Sequence, residues 1–136
     1  MTREILFRAK RLDTSEWVKG NLFVPDKVDF RDPPTEILMG TDVVRISFEV
    51  CPSTIGQYTG LTDKNGERIF EGDIVKHYNR LDDDTAYDTG LIFYDATQCR
   101  FKRTSMPKDV VYIGNHCCYE VIGNVYDNPE LLEGNE

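Results

Sequence analysis

Three glycines six residues apart, Gly60, Gly66 and Gly72, divide residues 57–76 into apolar runs too short for a helix and closely punctuated by turn residues. Such a stretch is organised as short strands joined by tight reversals, and the rest of the chain must fold around it. The pair Asn65-Gly66 predicts a two-residue type I′ turn, which needs positive φ at both central positions; Asn tolerates that and Gly takes it freely. Asp63 stands where its carboxylate can fold onto nearby backbone N–H groups, and Arg68-Ile69-Phe70 leaves the turn as a strand. Glu71-Gly72-Asp73 then reverses the chain again, and Ile74 to Tyr78 runs out as the next strand.

The flanking sequence reads as further strands. Ile5, Phe7 and Ala9 alternate with Leu6, Arg8 and Lys10, the period of a half-buried strand, and Trp17 to Phe23 returns it as an N-terminal hairpin with Trp17 on its face. From Val24 to Gly40 the prolines and aspartates predict a long loop, a natural place for contact with a partner. Val43 to Val50 is β-branched and apolar and predicts a strand. Asn79 to Thr89 reads as an acidic loop, in which the spacing of the aspartates does not match a calcium-binding loop. Gly90 to Tyr94 is apolar on both faces and predicts a central strand, with further strands at Cys99 to Arg103, Val110 to Ile113 and Cys117 to Val121. Asn128 before Pro129 and Glu130 predicts the start of a short terminal helix, with Asn as N-cap and Gly134 as its end.

With 136 residues, 40% of them hydrophobic, one ordinary core is expected, with or without a small satellite. The fold class expected is mainly β: a small SH3-like barrel over about 53–127, an additional N-terminal β hairpin or subdomain over about 1–52, and one short C-terminal helix in a tail at 128–136, all within a single domain. No apolar run is long enough to span a membrane and no secretory leader is recognisable, so a cytoplasmic location and no membrane partner are expected.

The net charge of −8 argues against a general basic surface for nucleic acid. Lys10-Arg11 and Arg100-Phe101-Lys102-Arg103 are the candidates for a local basic patch. On a strand, Arg100 and Lys102 share one face and Phe101 and Arg103 the other, which suggests a core Phe101 beside a solvated edge. Cys51, Cys99, Cys117 and Cys118 lack metal-ligand spacing and read as reduced thiols, mostly core filler, so no metal or other cofactor is expected.

Two arrangements could carry chemistry. Asp63, Glu71 and Asp73 could share a site and divide acid and base roles, but turn formation explains all three without a substrate. His77 and His116 are the two imidazoles, and a pairing of His116 with Cys51 or Cys99 is not specified by any motif. No nucleophile elbow, phosphate-binding loop or dinucleotide fingerprint is present.

The run Gln57-Tyr58-Thr59-Gly60-Leu61-Thr62-Asp63-Lys64-Asn65-Gly66, followed by Ile69-Phe70-Glu71-Gly72-Asp73-Ile74-Val75, resembles the signature of the YopX family of phage and prophage proteins. Arg3 to Ala9 resembles that family's opening strand, and Glu120 to Leu132, with Gly123 and Asn124, its closing segment. The resemblance implies a mostly β fold encoded by a phage or prophage, and no assigned activity. It also implies structural roles for Tyr58, Gly60, Asp63, Asn65, Gly66, Glu71, Gly72, Asp73, Gly123 and Asn124, with no catalytic residue among them. The function expected is that of a non-catalytic interaction module in the bacterial host cell, with a protein partner or a second copy of itself. The alternatives are a nucleic-acid-related role, through a basic patch or an acidic surface that mimics DNA, and a carboxylate-dependent hydrolase.

Overall fold

The computed structural model describes residues 4–25, 34–40, 45–80, 83–104, 110–112 and 119–133. It shows a mainly β chain with two antiparallel sheets and one short helix, divided into two compact units, Met1–Tyr58 and Thr59–Glu136.

In the first unit, β1 (Phe7–Lys10), β2 (Trp17–Phe23), β3 (Glu36–Gly40) and β4 (Arg45–Glu49) are followed by a 3-10 turn at Pro52–Thr54 and by the start of β5 (Gly56–Thr62). The strand order is β4-β3-β2-β1-β5. The alternation in β1 works as its sequence suggests: Ala9 is fully buried and Phe7 packs on the same cluster, beside Ile37, Val50, Val18, Leu22 and Ile55. Ile5 is exposed before the strand begins. The other face of β1 is covered too, because Arg8 is buried with its guanidinium 4.8 Å from the centre of the Trp17 ring. An isolated bridge, Arg11↔Val50, brings the end of β1 to the end of β4.

The second unit holds the rest of β5 beside β6 (Arg68–Phe70), and a five-stranded sheet. That sheet is built from β7 (Asp73–Arg80), β8 (Asp83–Asp95), β9 (Arg100–Thr104), β10 (Val110–Tyr112) and β11 (Tyr119–Asn124), in the order β10-β9-β8-β7-β11. Helix α1 (Glu130–Glu133) follows. Ile69, Val75, Ile92 and Tyr119 form the buried cluster, with Leu61 and Val121 against it.

Two expectations are corrected here. Residues 24–40 are not loop throughout, because Glu36–Gly40 pairs with both β2 and β4; the run Ile37-Leu38-Met39 supplies a strand once the prolines are passed. The acidic stretch is not a loop either. The ladder between β7 and β8 runs from Ile74↔Leu91 to Arg80↔Asp83, and acidity does not oppose pairing where Thr85, Tyr87 and Thr89 recur at every second position. Among the described residues neither sheet is closed into a barrel, so of the fold expected over 53–127 the antiparallel sheet is shown and the SH3-like closure is not. The strand expected at Val43 begins, within the described residues, at Arg45. His116, Cys117, Cys118 and Gly134 lie outside the described residues.

Candidate functional site

The glycine-punctuated stretch folds around two carboxylates. Asp63 is buried, and its Oδ1 accepts from the N–H groups of Asn65 at 2.8 Å and Glu67 at 2.9 Å. Its Oδ2 accepts from Val121 N–H at 2.9 Å, and Lys64 N–H donates to Tyr119 O at 2.9 Å. Val121 and Tyr119 belong to β11, the edge of the five-stranded sheet, where the register shifts between Val121 and Gly123. A single carboxylate thus closes its own turn and meets a donor on a strand edge that has no neighbouring strand among the described residues.

The turn itself departs from the type I′ expectation. Gly66 has φ of 85°, but Asn65 is absent from the positive-φ residues. Gly66 N–H donates to Asp63 O, and Asp63 N–H to Glu67 O. This is a three-residue loop in which only the glycine is left-handed, an arrangement that two acceptor bonds from the Asp63 side chain favour.

At the second reversal, Gly72 has φ of 88°, donates its N–H to Ile92 O and accepts from Val125 N–H. Asp73 is almost fully buried, and its Oδ2 accepts from Phe70 N–H at 2.7 Å. Glu71 is half-buried in the same turn. Tyr58 is buried at the end of the first unit's part of β5, and Gly60, at φ of 92°, lies in the second unit's part of that strand. Both buried carboxylates face backbone N–H groups of their own turns.

The closing segment is organised by two asparagines. Asn124 Oδ1 accepts from Tyr126 and Asp127 N–H, and Asn128 Oδ1 accepts from Asn124 N–H. The Asn128 side chain therefore reaches back toward β11, while its backbone carbonyl accepts from Leu131 N–H at the start of the helix. Gly123 makes this possible: a Cβ there would lie 2.6 Å from Asn128 Oδ1 and 2.9 Å from Leu131 Cδ1.

Sequence reasoning missed a polar cluster around Arg103. Phe101 and Arg103 do share a face, but Arg103 is the buried member and Phe101 is half-buried at the margin, edge-on to an exposed Tyr94. The Arg103 guanidinium reaches His77 Nδ1 at 2.9 Å and Tyr119 Oη at 3.2 Å. A guanidinium only donates, so Nδ1 accepts and a neutral His77 carries its proton on Nε2. Lys102, on the opposite face, is also buried, with Nζ 2.7 Å from Asp95 Oδ2. The register Ile92↔Arg103 is the signal that could have placed Arg103, and it is a tertiary one.

The cysteines are not core filler where described. Cys51 is half-buried, and the hydrogen bond with Ser53 holds its thiol below the ordinary range; Cys99 is exposed at the β8–β9 turn with φ of 55°. Among the described residues no three His, Cys, Asp or Glu side chains converge as a metal-binding group, and no helix is long and apolar enough to cross a membrane. A cleft of about 170 Å³ in the first unit is lined by Arg11, Leu12, Asp13, Ser47, Phe48 and Glu49. Arg11 binds Asp13 through two bonds of 2.9 and 2.6 Å and lies 4.5 Å from the centre of the Phe48 ring.

These features define a mainly β protein with two open antiparallel sheets, in which the most distinctive turn residues hold backbone. The family model for the YopX protein matches residues 6–133, and the chain belongs to that family. Among solved structures, the chain is similar to protein EF1440 from Enterococcus faecalis, with 24% identity, a TM-score of 0.55, and coverage of 96% of this chain and 99% of that one. That likeness concerns the fold. No curated protein matches the chain significantly.

Proposed function

We propose that this phage-associated protein is a non-catalytic accessory module of the host cytoplasm that acts by binding another protein. The observation that carries the reading is the engagement of Asp63 and Asp73 with backbone N–H groups of their own turns. A general acid or base needs a carboxyl group within reach of a reacting proton, and these two are directed at amides. The family motif then acts as scaffold, and function falls to the surfaces it holds in place.

The nucleic-acid alternative is less well supported. Of the basic run at 100–103, Lys102 is paired with Asp95 and Arg103 with His77 and Tyr119, and both are buried. A phosphate-binding strip needs exposed cations.

Affinity capture from host cells carrying the phage, followed by sizing of the complex, tests the proposal. A stoichiometric complex with one specific protein is expected. Recovery of a strictly monomeric chain with no specific partner overturns it, and so does a turnover that is lost in Asp73→Asn while the fold survives.

A further inference from the structure

Resting on the interaction reading, we infer that the part of the β4 edge at Ser47, which no described residue pairs, receives an extended peptide with an apolar–basic–apolar pattern, added as an antiparallel strand. The backbone bonds around β4 fix which of its groups face outward. Val50 N–H donates inward to Thr35 O, while Glu49 O accepts from Leu12 N–H and Cys51 N–H donates to Lys10 O. Orientation alternates along a strand, so Glu49 and Ser47 point their backbone groups away from β3. The chain leaves this edge just before Ser47, because Ser15 N–H closes a turn onto Arg11 O. Among the described residues none takes up the outward N–H and C=O of Ser47. The segment 10–12 is thus a strand that stops short, and the cleft beside it is the position where a strand would continue.

The side chains along the edge specify the occupant. On one face Ile46 is 54% exposed and Phe48 is half-buried with the Arg11 guanidinium on its ring, so the peptide residue opposite Ile46 meets apolar surface and the one opposite Phe48 meets the stacked ring. On the other face Glu36 and Glu49 are direct cross-strand partners, and like charges in that relation repel. Arg11 offers them little compensation, since it is held by Asp13. A basic side chain opposite Ser47 projects onto this second face and supplies the missing charge, while its backbone makes the paired bonds of strand addition.

The test uses the full chain and three amidated peptides that stop short of the place Leu12 holds opposite Glu49: Val-Lys-Val-Thr, its glutamate counterpart, and the lysine peptide N-methylated at lysine. Backbone amide shifts at residues 11–13 and 46–49 are expected to move with the lysine peptide. The glutamate and N-methyl peptides, and Glu49→Lys with the lysine peptide, are expected to bind at least about tenfold more weakly. N-methylation leaves the protein untouched, so folding defects cannot mimic that result. Absence of shifts at those residues, or equal binding of the N-methyl peptide, overturns the inference. A change of oligomeric state in Ser47→Pro also overturns it, by identifying a second copy as the occupant. Capture of a specific partner that persists in Glu49→Lys removes the β4 edge while leaving the interaction module standing.

Discussion

Asp63 shows how much structure one side chain can hold. Three backbone N–H groups converge on its two oxygens, two from its own turn and one from β11. Asp63→Asn keeps an oxygen for Asn65 and Glu67 but sets an amide NH2 against the Val121 N–H, so a donor faces a donor. The expected loss is about 1–3 kcal/mol of folding stability in urea titration, the cost of one buried unsatisfied donor. Asp63→Ala strands all three and should lose more. A neutral Asp63→Asn would show that Val121 N–H has another acceptor.

At the scale of the element, the left-handed glycines separate backbone strain from crowding. A Cβ at Gly66 would have nothing within 4 Å, so Gly66→Ala should cost only the left-handed conformation, about 1–2 kcal/mol. A Cβ at Gly72 would lie 3.0 Å from Tyr126 Cε2 as well, and the half-exposed ring can move, so Gly72→Ala should cost about 1 kcal/mol more. A double-mutant cycle with Tyr126→Ala measures that extra part as a coupling, and additivity would refute the contact.

The β8–β9 hairpin carries its own pH signature. The hydrogen bond from Lys102, with those from Thr97, holds the Asp95 carboxyl well below the usual carboxylate range. Because the folded-state pKa is depressed, the stabilisation is present above the unfolded value of about 4 and is lost as pH falls through the folded value. The gap in Tm between wild type and Asp95→Asn should therefore be constant from about pH 8 to about pH 5 and narrow below about pH 4. A gap that widens in acid would place the anchoring elsewhere. These elements also mark what the sequence made legible. Glycines and their acidic neighbours identify reversals because positive φ and side-chain-to-backbone bonds are local physics; β1 followed from alternation, and β6 and β9 from the turns that precede them. The Arg103 cluster and the strands inside 36–40 and 83–89 were hidden, since burial of a cation and pairing of a short strand after prolines or of an acidic one are decided by partners distant in sequence.

For the molecule as a whole, charge distribution decides between binding classes. Sixteen basic against twenty-four acidic residues leave a net charge of −8, and the most suggestive basic run has two of its cations buried and partnered. Non-specific affinity for DNA arises from counterion release as exposed cations replace condensed ions, so it falls steeply with salt in proportion to the phosphates neutralised. This chain offers no continuous strip of such cations among its described strands, whereas Glu36, Glu49 and Asp13 concentrate carboxylates around the first unit's cleft. Fluorescence anisotropy with a labelled duplex should show no saturable binding at about 150 mM salt, and any signal at low salt should vanish without sequence preference. Lys102→Ala and Arg103→Ala should lower thermal stability without altering that titration, because both cations serve the interior. Saturable binding at physiological salt, weakened by either substitution without loss of stability, would reassign β9 from core to contact surface.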